Sequence, residues 1–285
     1  RYFYPTDYFE NPSFFDFGYS TIDQFYQEQF TGFLDFNCFN TMLLAFLKTR
    51  IDQKERKVYI NIFKSTDFII LREIYHNDNY RYSLVFHIKS FYIFLLKKRI
   101  CPENLTDEFK REKYFCENFS HRCINRFYGF VKDDSIIIGF VYEFMCNGSL
   151  NDFVLKHPEK MDEIYSAMTI LRIFQGLYFL QTKSLIHRDL KPSNILIDHQ
   201  YIPYISDFET IRSVKDIESS EKTITNAIGS QYYTSPEQYQ KDEYSYPTDI
   251  FSFGCIVYFL FSNGKNVILK DKYCDLMDNK IPKLE

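Results

Sequence analysis

Apolar positions after Asp67 fall into short runs: DFIILREI at 67–74, YRYSLVFHI at 80–88 and FYIFLLKK at 91–98. Each run is rich in Ile, Val, Phe or Tyr and is bounded by polar residues, which predicts strands. Three strands at this spacing predict an antiparallel meander. DEFKREKYFCENF at 107–119 changes to a helical period, with Phe109, Lys113 and Cys116 on one side and Glu108 and Glu112 a turn apart. IIIGFVYEFM at 136–145 returns to a strand. Beyond Gly148 the pattern turns helical. Ile164, Met168, Leu171, Phe174 and Tyr178 step at helical intervals through one long buried helix. A β-rich half therefore precedes an α-rich half.

The first 60 residues are harder to place. Gln24 to Lys48 predicts one or two helices, with Phe25, Phe30, Phe33, Phe36 and Phe39 as a loose stripe. The charged stretch RIDQKERK at 50–57 reads as a linker.

Composition narrows the function classes. The chain has 285 residues, 34 Lys+Arg against 38 Asp+Glu, and a net charge of −4. No basic excess exists to hold a phosphate backbone, so nucleic acid is not an expected partner. The 24 Tyr and 31 Phe read as compositional drift, which weakens any argument from one aromatic. Seven scattered cysteines form no C-x-x-C pair, which points to a reduced, cytoplasmic interior rather than a disulfide or metal framework. No apolar run reaches the ~18 residues of a membrane span.

The chemistry concentrates in HRDLKPSN at His187–Asn194, followed by ILID and by SDFE at 206–209. With these motifs the sequence resembles the eukaryotic protein kinases, of the serine/threonine or tyrosine-kinase-like group, over roughly residues 64–285. Phosphoryl transfer asks for an aligned hydroxyl, metal ions and neutralised charge rather than covalent chemistry from the protein. Asp189 is suited to accept the hydroxyl hydrogen, and Lys191 to reach the γ-phosphate as a point charge. Asn194 and Asp207 offer oxygens to Mg²⁺, a hard cation. Pro192 stiffens the loop between them. Lys191, two residues after Asp189, is similar to the serine/threonine class.

The resemblance implies further parts. Lys97 in FLLKK aligns with the strand lysine that holds the α- and β-phosphates, and Leu95 then lies over the adenine. Lys98 is the competing register, on the other strand face. Glu112 is the expected helix partner, nine residues before His121 of the HRCI turn. VYEFMCNGSL resembles the hinge, with Tyr142 as gatekeeper, the carbonyl of Glu143 and the amide of Met145 on adenine, and Leu196 beneath it. GSQYYTSPEQ resembles the end of an activation segment, with Ser230, Ser235 and Glu237 at its marked positions. Asp249 in TDIFSFG resembles the residue that braces the catalytic loop. Arg188 is placed to pair with a phosphate on the activation loop, for which Thr223 and Thr225 are acceptors.

Three departures stand against the family pattern. YHNDNY at 75–80 replaces the Gly-rich loop, and no glycine occurs between Gly32 and Gly129. Asn77, Asp78 and Asn79 tolerate left-handed backbone better than most residues, but the loop is bulkier and ATP affinity should fall. DFG reads Asp207–Phe208–Glu209, which sets a bulky anion beside the metal site. The chain ends at Glu285, 36 residues after Asp249, so an arginine partner for Glu237 is lacking and a fragment is expected.

The expected architecture is α+β: an N-terminal segment 1–63 of open role, a β-rich N-lobe 64–145, and a mainly helical, truncated C-lobe 146–285. The expected activity is transfer of the ATP γ-phosphoryl group to Ser/Thr of a protein substrate, with ATP and Mg²⁺ as cofactors. The alternative is a pseudokinase that binds nucleotide or serves as a scaffold. The sequence leaves the oligomeric state open.

Overall fold

A computed structural model describes residues 59–214, 232–241 and 244–266. The helices expected within 24–48 lie outside the described residues. Six strands form one sheet: β1 Asn61–Phe63, β2 Phe68–His76, β3 Tyr80–His87, β4 Ile93–Arg99, β5 Phe127–Asp133 and β6 Ile136–Glu143, in the order β1-β5-β6-β4-β3-β2. The meander β2-β3-β4 is antiparallel as expected, and β6 adds to β4. Strand β5 escaped the sequence pattern, and β1 joins it in parallel. The sheet thus takes in residues three positions ahead of the boundary expected at 64. Gly129 makes that pairing possible, since a Cβ there would sit 2.1 Å from the carbonyl oxygen of Asn61.

Buried side chains of the sheet gather into two clusters. Phe63, Val85, Phe94, Leu96, Val131, Ile138 and Val141 form one buried cluster. Tyr80, Phe130, Phe140 and Tyr142 pack with Phe109 and Cys116 in the other. The latter two come from helix α1, Asp107–Asn118, whose first turn is capped by the Thr106 hydroxyl accepting from the Phe109 amide at 3.3 Å. Its buried residues are Phe109, Glu112, Phe115 and Cys116. Glu112 therefore shares the inward face, while Lys113 is only half-buried.

Helices dominate after β6. They are α2 Leu150–Lys156, α3 Glu163–Thr182, α4 Pro236–Lys241 and α5 Tyr246–Phe261. The long helix is α3, but its stripe differs from the expected one. Of the five predicted positions only Leu171 is buried. Thr169, Ile170, Ile173, Leu177 and Leu180 are deeper. Apolar residues surround most of this helix, so periodicity alone does not select its inner face. Gly176 lets α3 approach strand β9, Pro203–Ile205, closely: a Cβ there would meet the Ile205 Cδ1 at 2.6 Å. Strand β9 pairs with β8, Ile195–Ile197, and β7 is Leu185–Ile186, paired with β10, Arg212–Ser213. Residues 187–194 form the loop between β7 and β8. No helix among the described residues is long and apolar enough to cross a membrane.

Candidate active site

Two polar clusters stand out, one on the sheet and one on the loop between β7 and β8. On the sheet, β4 alternation turns Lys97 inward and leaves Lys98 exposed. Only 3% of Lys97 is solvent-accessible and 1% of Glu112. The Lys97 Nζ donates to Glu112 Oε1 at 2.8 Å and Oε2 at 2.7 Å. It also lies 2.5 Å from Glu209 Oε1. The Tyr142 hydroxyl donates to Glu112 Oε1 at 2.7 Å and lies 3.1 Å from the Cys116 Sγ. The Tyr80 ring covers the ammonium at 4.4 Å, and the Tyr82 ring lies 5.8 Å away.

One cation thus faces two carboxylates. Burial acts to strip the proton from Lys97, but Glu112 and Glu209 override it and hold its pKa well above the usual lysine range. Burial raises the Glu112 carboxyl to about 7, against the pull of Lys97, and the negative charge of Glu209 adds to the rise. Glu209 is likewise raised by burial, opposed by Lys97 and reinforced by Asp207. Asp207 therefore acts electrostatically on both partners of the pair. Its backbone is left-handed, with φ of 65°. Tyr80 stands against Lys97 rather than displacing Glu112, and the Lys97–Glu112 contact is intact beneath it.

The connection between β2 and β3 is a tight turn. The Asn77 side-chain oxygen accepts from the amides of Asn79 at 3.0 Å and Tyr80 at 2.7 Å. None of Asn77, Asp78 and Asn79 takes a positive φ. The Asn77 amide also donates to the Tyr80 carbonyl at 2.9 Å, so the side chain and backbone of Asn77 close the turn without a left-handed residue.

In the loop between β7 and β8, Asp189 Oδ2 accepts from Lys191 Nζ at 2.7 Å and from Asn194 Nδ2 at 3.1 Å. Asn194 Nδ2 also donates to the Asp189 carbonyl at 2.7 Å, so the amide oxygen is what Asn194 has left to offer a cation. Burial raises the Asp189 pKa, with Lys191 pulling it back. His187 Nε2 donates to the Ser206 carbonyl at 3.0 Å, and the Asp189 amide donates to His187 Nδ1 at 3.4 Å. Ser206, just before Asp207, donates its amide and its hydroxyl to the Asn194 carbonyl, each at 2.9 Å. These bonds join the metal-ligand candidates Asn194 and Asp207 to one framework. Both present oxygen, which fits Mg²⁺ with phosphate oxygens and waters completing its shell.

Asp249, near the start of α5, stabilises the loop from below. Its Oδ2 accepts from the His187 amide at 2.8 Å and its Oδ1 from the Arg188 amide at 3.0 Å. Arg188 has φ of 74°, and the paired acceptors hold that turn. Burial raises the Asp249 pKa, while His187 and the two amides oppose it. The Arg188 guanidinium lies 3.6 Å from the Tyr244 ring centroid and within the electrostatic reach of Arg212 and Arg111. Thr223, Thr225 and Ser230 lie outside the described residues. Ser235 is buried, and Glu237, half-exposed rather than buried, lies 3.5 Å from the Thr248 hydroxyl.

Phe208 connects the clusters. Its ring stacks on Phe115 of α1 at 4.0 Å and meets His187 edge-on at 5.3 Å. Glu143 ends β6, Met145 is buried beyond it, and half-buried Leu196 pairs with Tyr204 in the β8–β9 hairpin. Sequence reasoning missed the placement of Glu209 on Lys97, the Tyr142–Glu112 bond, and Arg111, whose Nε donates to the Glu209 carbonyl at 2.8 Å. Strand alternation carried one signal: Tyr82 lies directly across from Lys97 in the β3–β4 register.

A lysine–glutamate pair on a sheet and helix, joined to an Asp-Lys-Asn loop, is the constellation of a protein kinase. The family profile described as "Protein kinase domain" matches residues 81–283, and the chain belongs to that family. It is 32% identical over 206 residues to mitogen-activated protein kinase kinase 3 of Arabidopsis thaliana, covering 72% of this chain and 37% of that protein. It is 35% identical over 169 residues to cysteine-rich receptor-like protein kinase 11 of the same plant, covering 56% of the chain and 25% of the relative. A G-type lectin S-receptor-like serine/threonine-protein kinase is 34% identical over 173 residues, covering 58% and 20%. The matched region therefore spans well under half the length of these relatives.

Proposed function

We propose that the chain transfers the γ-phosphoryl group of ATP to Ser or Thr hydroxyls of a protein substrate. The observation that carries this reading is the Asp189 carboxylate, bonded to Lys191 and Asn194 on a loop held by Asp249. Asp189 orients the acceptor hydroxyl and takes its hydrogen as the oxygen attacks. Lys191, 2.7 Å from Asp189, balances the charge that develops on the transferred group. Lys97, fixed by Glu112, positions the α- and β-phosphates. The backbone of Glu143 and Met145 binds adenine, and Leu196 supports the base.

Asn194 and Asp207 would hold Mg²⁺, which when bound supplies Lewis-acid neutralisation of the phosphate oxygens. The name of the serine/threonine-protein kinase relative and the lysine at 191 favour Ser or Thr over Tyr. A cytoplasmic setting is part of the same proposal, consistent with the free thiols of Cys101, Cys116, Cys123, Cys146 and Cys255.

Replacing Asp189 tests the reading. Asp189→Ala should lower phosphate transfer to a generic basic protein by about a hundredfold or more, while nucleotide binding persists. Undiminished transfer in that variant would remove Asp189 from the chemistry. Nucleotide binding without transfer in the wild type would favour the pseudokinase instead.

A further inference from the structure

We infer that the Glu209 carboxylate holds, on Lys97, the place of a nucleotide phosphate oxygen, and so sets the affinity for phosphate-bearing nucleotides relative to phosphate-free ones. This rests on the nucleotide site proposed above and goes beyond it.

A lysine ammonium has three N–H donors. Glu112 engages Lys97 through Oε1 at 2.8 Å and Oε2 at 2.7 Å, and Glu209 Oε1 stands at 2.5 Å for the third. The Tyr80 ring closes another side at 4.4 Å. A phosphate oxygen can therefore gain a bond from this ammonium only by replacing a carboxylate.

The two carboxylates are not equally replaceable. The Glu112 side chain is 2% exposed, sits on α1 and accepts a further bond from Tyr142 at 2.7 Å. The Glu209 side chain is 20% exposed. Its main chain is anchored through Arg111 Nε at 2.8 Å, so release needs rotation of one side chain and no opening of the segment. Glu209 also adds a negative charge beside Asp207, where a polyphosphate must approach. Both effects act against phosphates and neither acts on a nucleoside that lacks them.

The test measures dissociation constants of Mg-ATP, Mg-ADP and adenosine by titration calorimetry on the full chain, for wild type, Glu209→Gln and Glu209→Ala. Glutamine keeps the size and removes the charge, and alanine removes the contact. The expected result is about tenfold or tighter binding of ATP and ADP in both variants, with adenosine unchanged, as for loss of one charge-assisted bond that must be broken on binding. Unchanged or weaker ATP and ADP binding in the variants overturns the inference and leaves the proposed function standing. Equal tightening of all three ligands also overturns it, since the effect would not be specific to phosphate. Failure of wild type and both variants to bind any of the three overturns the nucleotide site itself.

Discussion

At Glu112 charge and burial conflict. Its pKa is raised to about 7 by burial, Lys97 opposing and Glu209 reinforcing. A carboxyl with a folded pKa above its unfolded value binds more protons when folded, so its stabilising contribution is complete below about 4.5 and is lost as pH rises through about 7. Between those values thermal stability of the wild type should decline with rising pH more steeply than in Glu112→Gln. Melting temperatures measured across that range check this, and equal slopes would contradict the assigned environment. The pair itself was legible through the family resemblance, which implied Lys97 and the nine-residue gap from Glu112 to His121, while strand alternation separated Lys97 from Lys98. Glu209 was legible only as an anion near the metal site. Its contact with Lys97 crosses from the segment after β9 to the sheet, and no local period encodes that placement. The loop at 77–79 differed for another reason: the Asn77 side-chain oxygen and amide close the turn with no residue in the left-handed region.

Elements follow the same division between local and long-range information. Strands β2, β3, β4 and β6 and helix α1 were visible as alternation or helical period bounded by polar residues. Strand β5 was not, since FYGFVKD shows only a brief apolar core and takes its strand character from pairing with β6. The inner face of α3 was misread because apolar residues occur around most of its circumference. Its true packing is marked by a small residue instead. Gly176→Val should destabilise the fold by about 1–3 kcal/mol, since the new side chain meets buried Ile205. Gly176→Ala should cost less, because alanine restores about 1 kcal/mol of helix propensity. Urea unfolding of the two variants measures the difference. Equal stability of Gly176→Val and wild type would show that α3 and β9 have room to separate.

At the scale of the molecule, three long-range contacts organise the site. Glu112 fixes Lys97, Phe208 stacks between α1 and His187, and Asp249 holds the turn at Arg188. The kinase resemblance made each of these residues nameable before their contacts were seen, and the order of β-rich then helical halves was correct. Tyr80 was marked as a bulky loop residue able to fill the space beside Lys97, but Tyr82 was not singled out, because aromatic abundance made any single Tyr uninformative. Their rings cover the Lys97 ammonium, at 4.4 Å for Tyr80 and 5.8 Å for Tyr82. The most direct measurement is calorimetric titration of ATP into the wild-type chain with and without Mg²⁺, alongside Asp207→Asn. The account predicts saturable binding in Mg²⁺, weakened about tenfold or more by omitting the metal or replacing Asp207. Absence of binding in Mg²⁺, or one affinity in all three conditions, would contradict it.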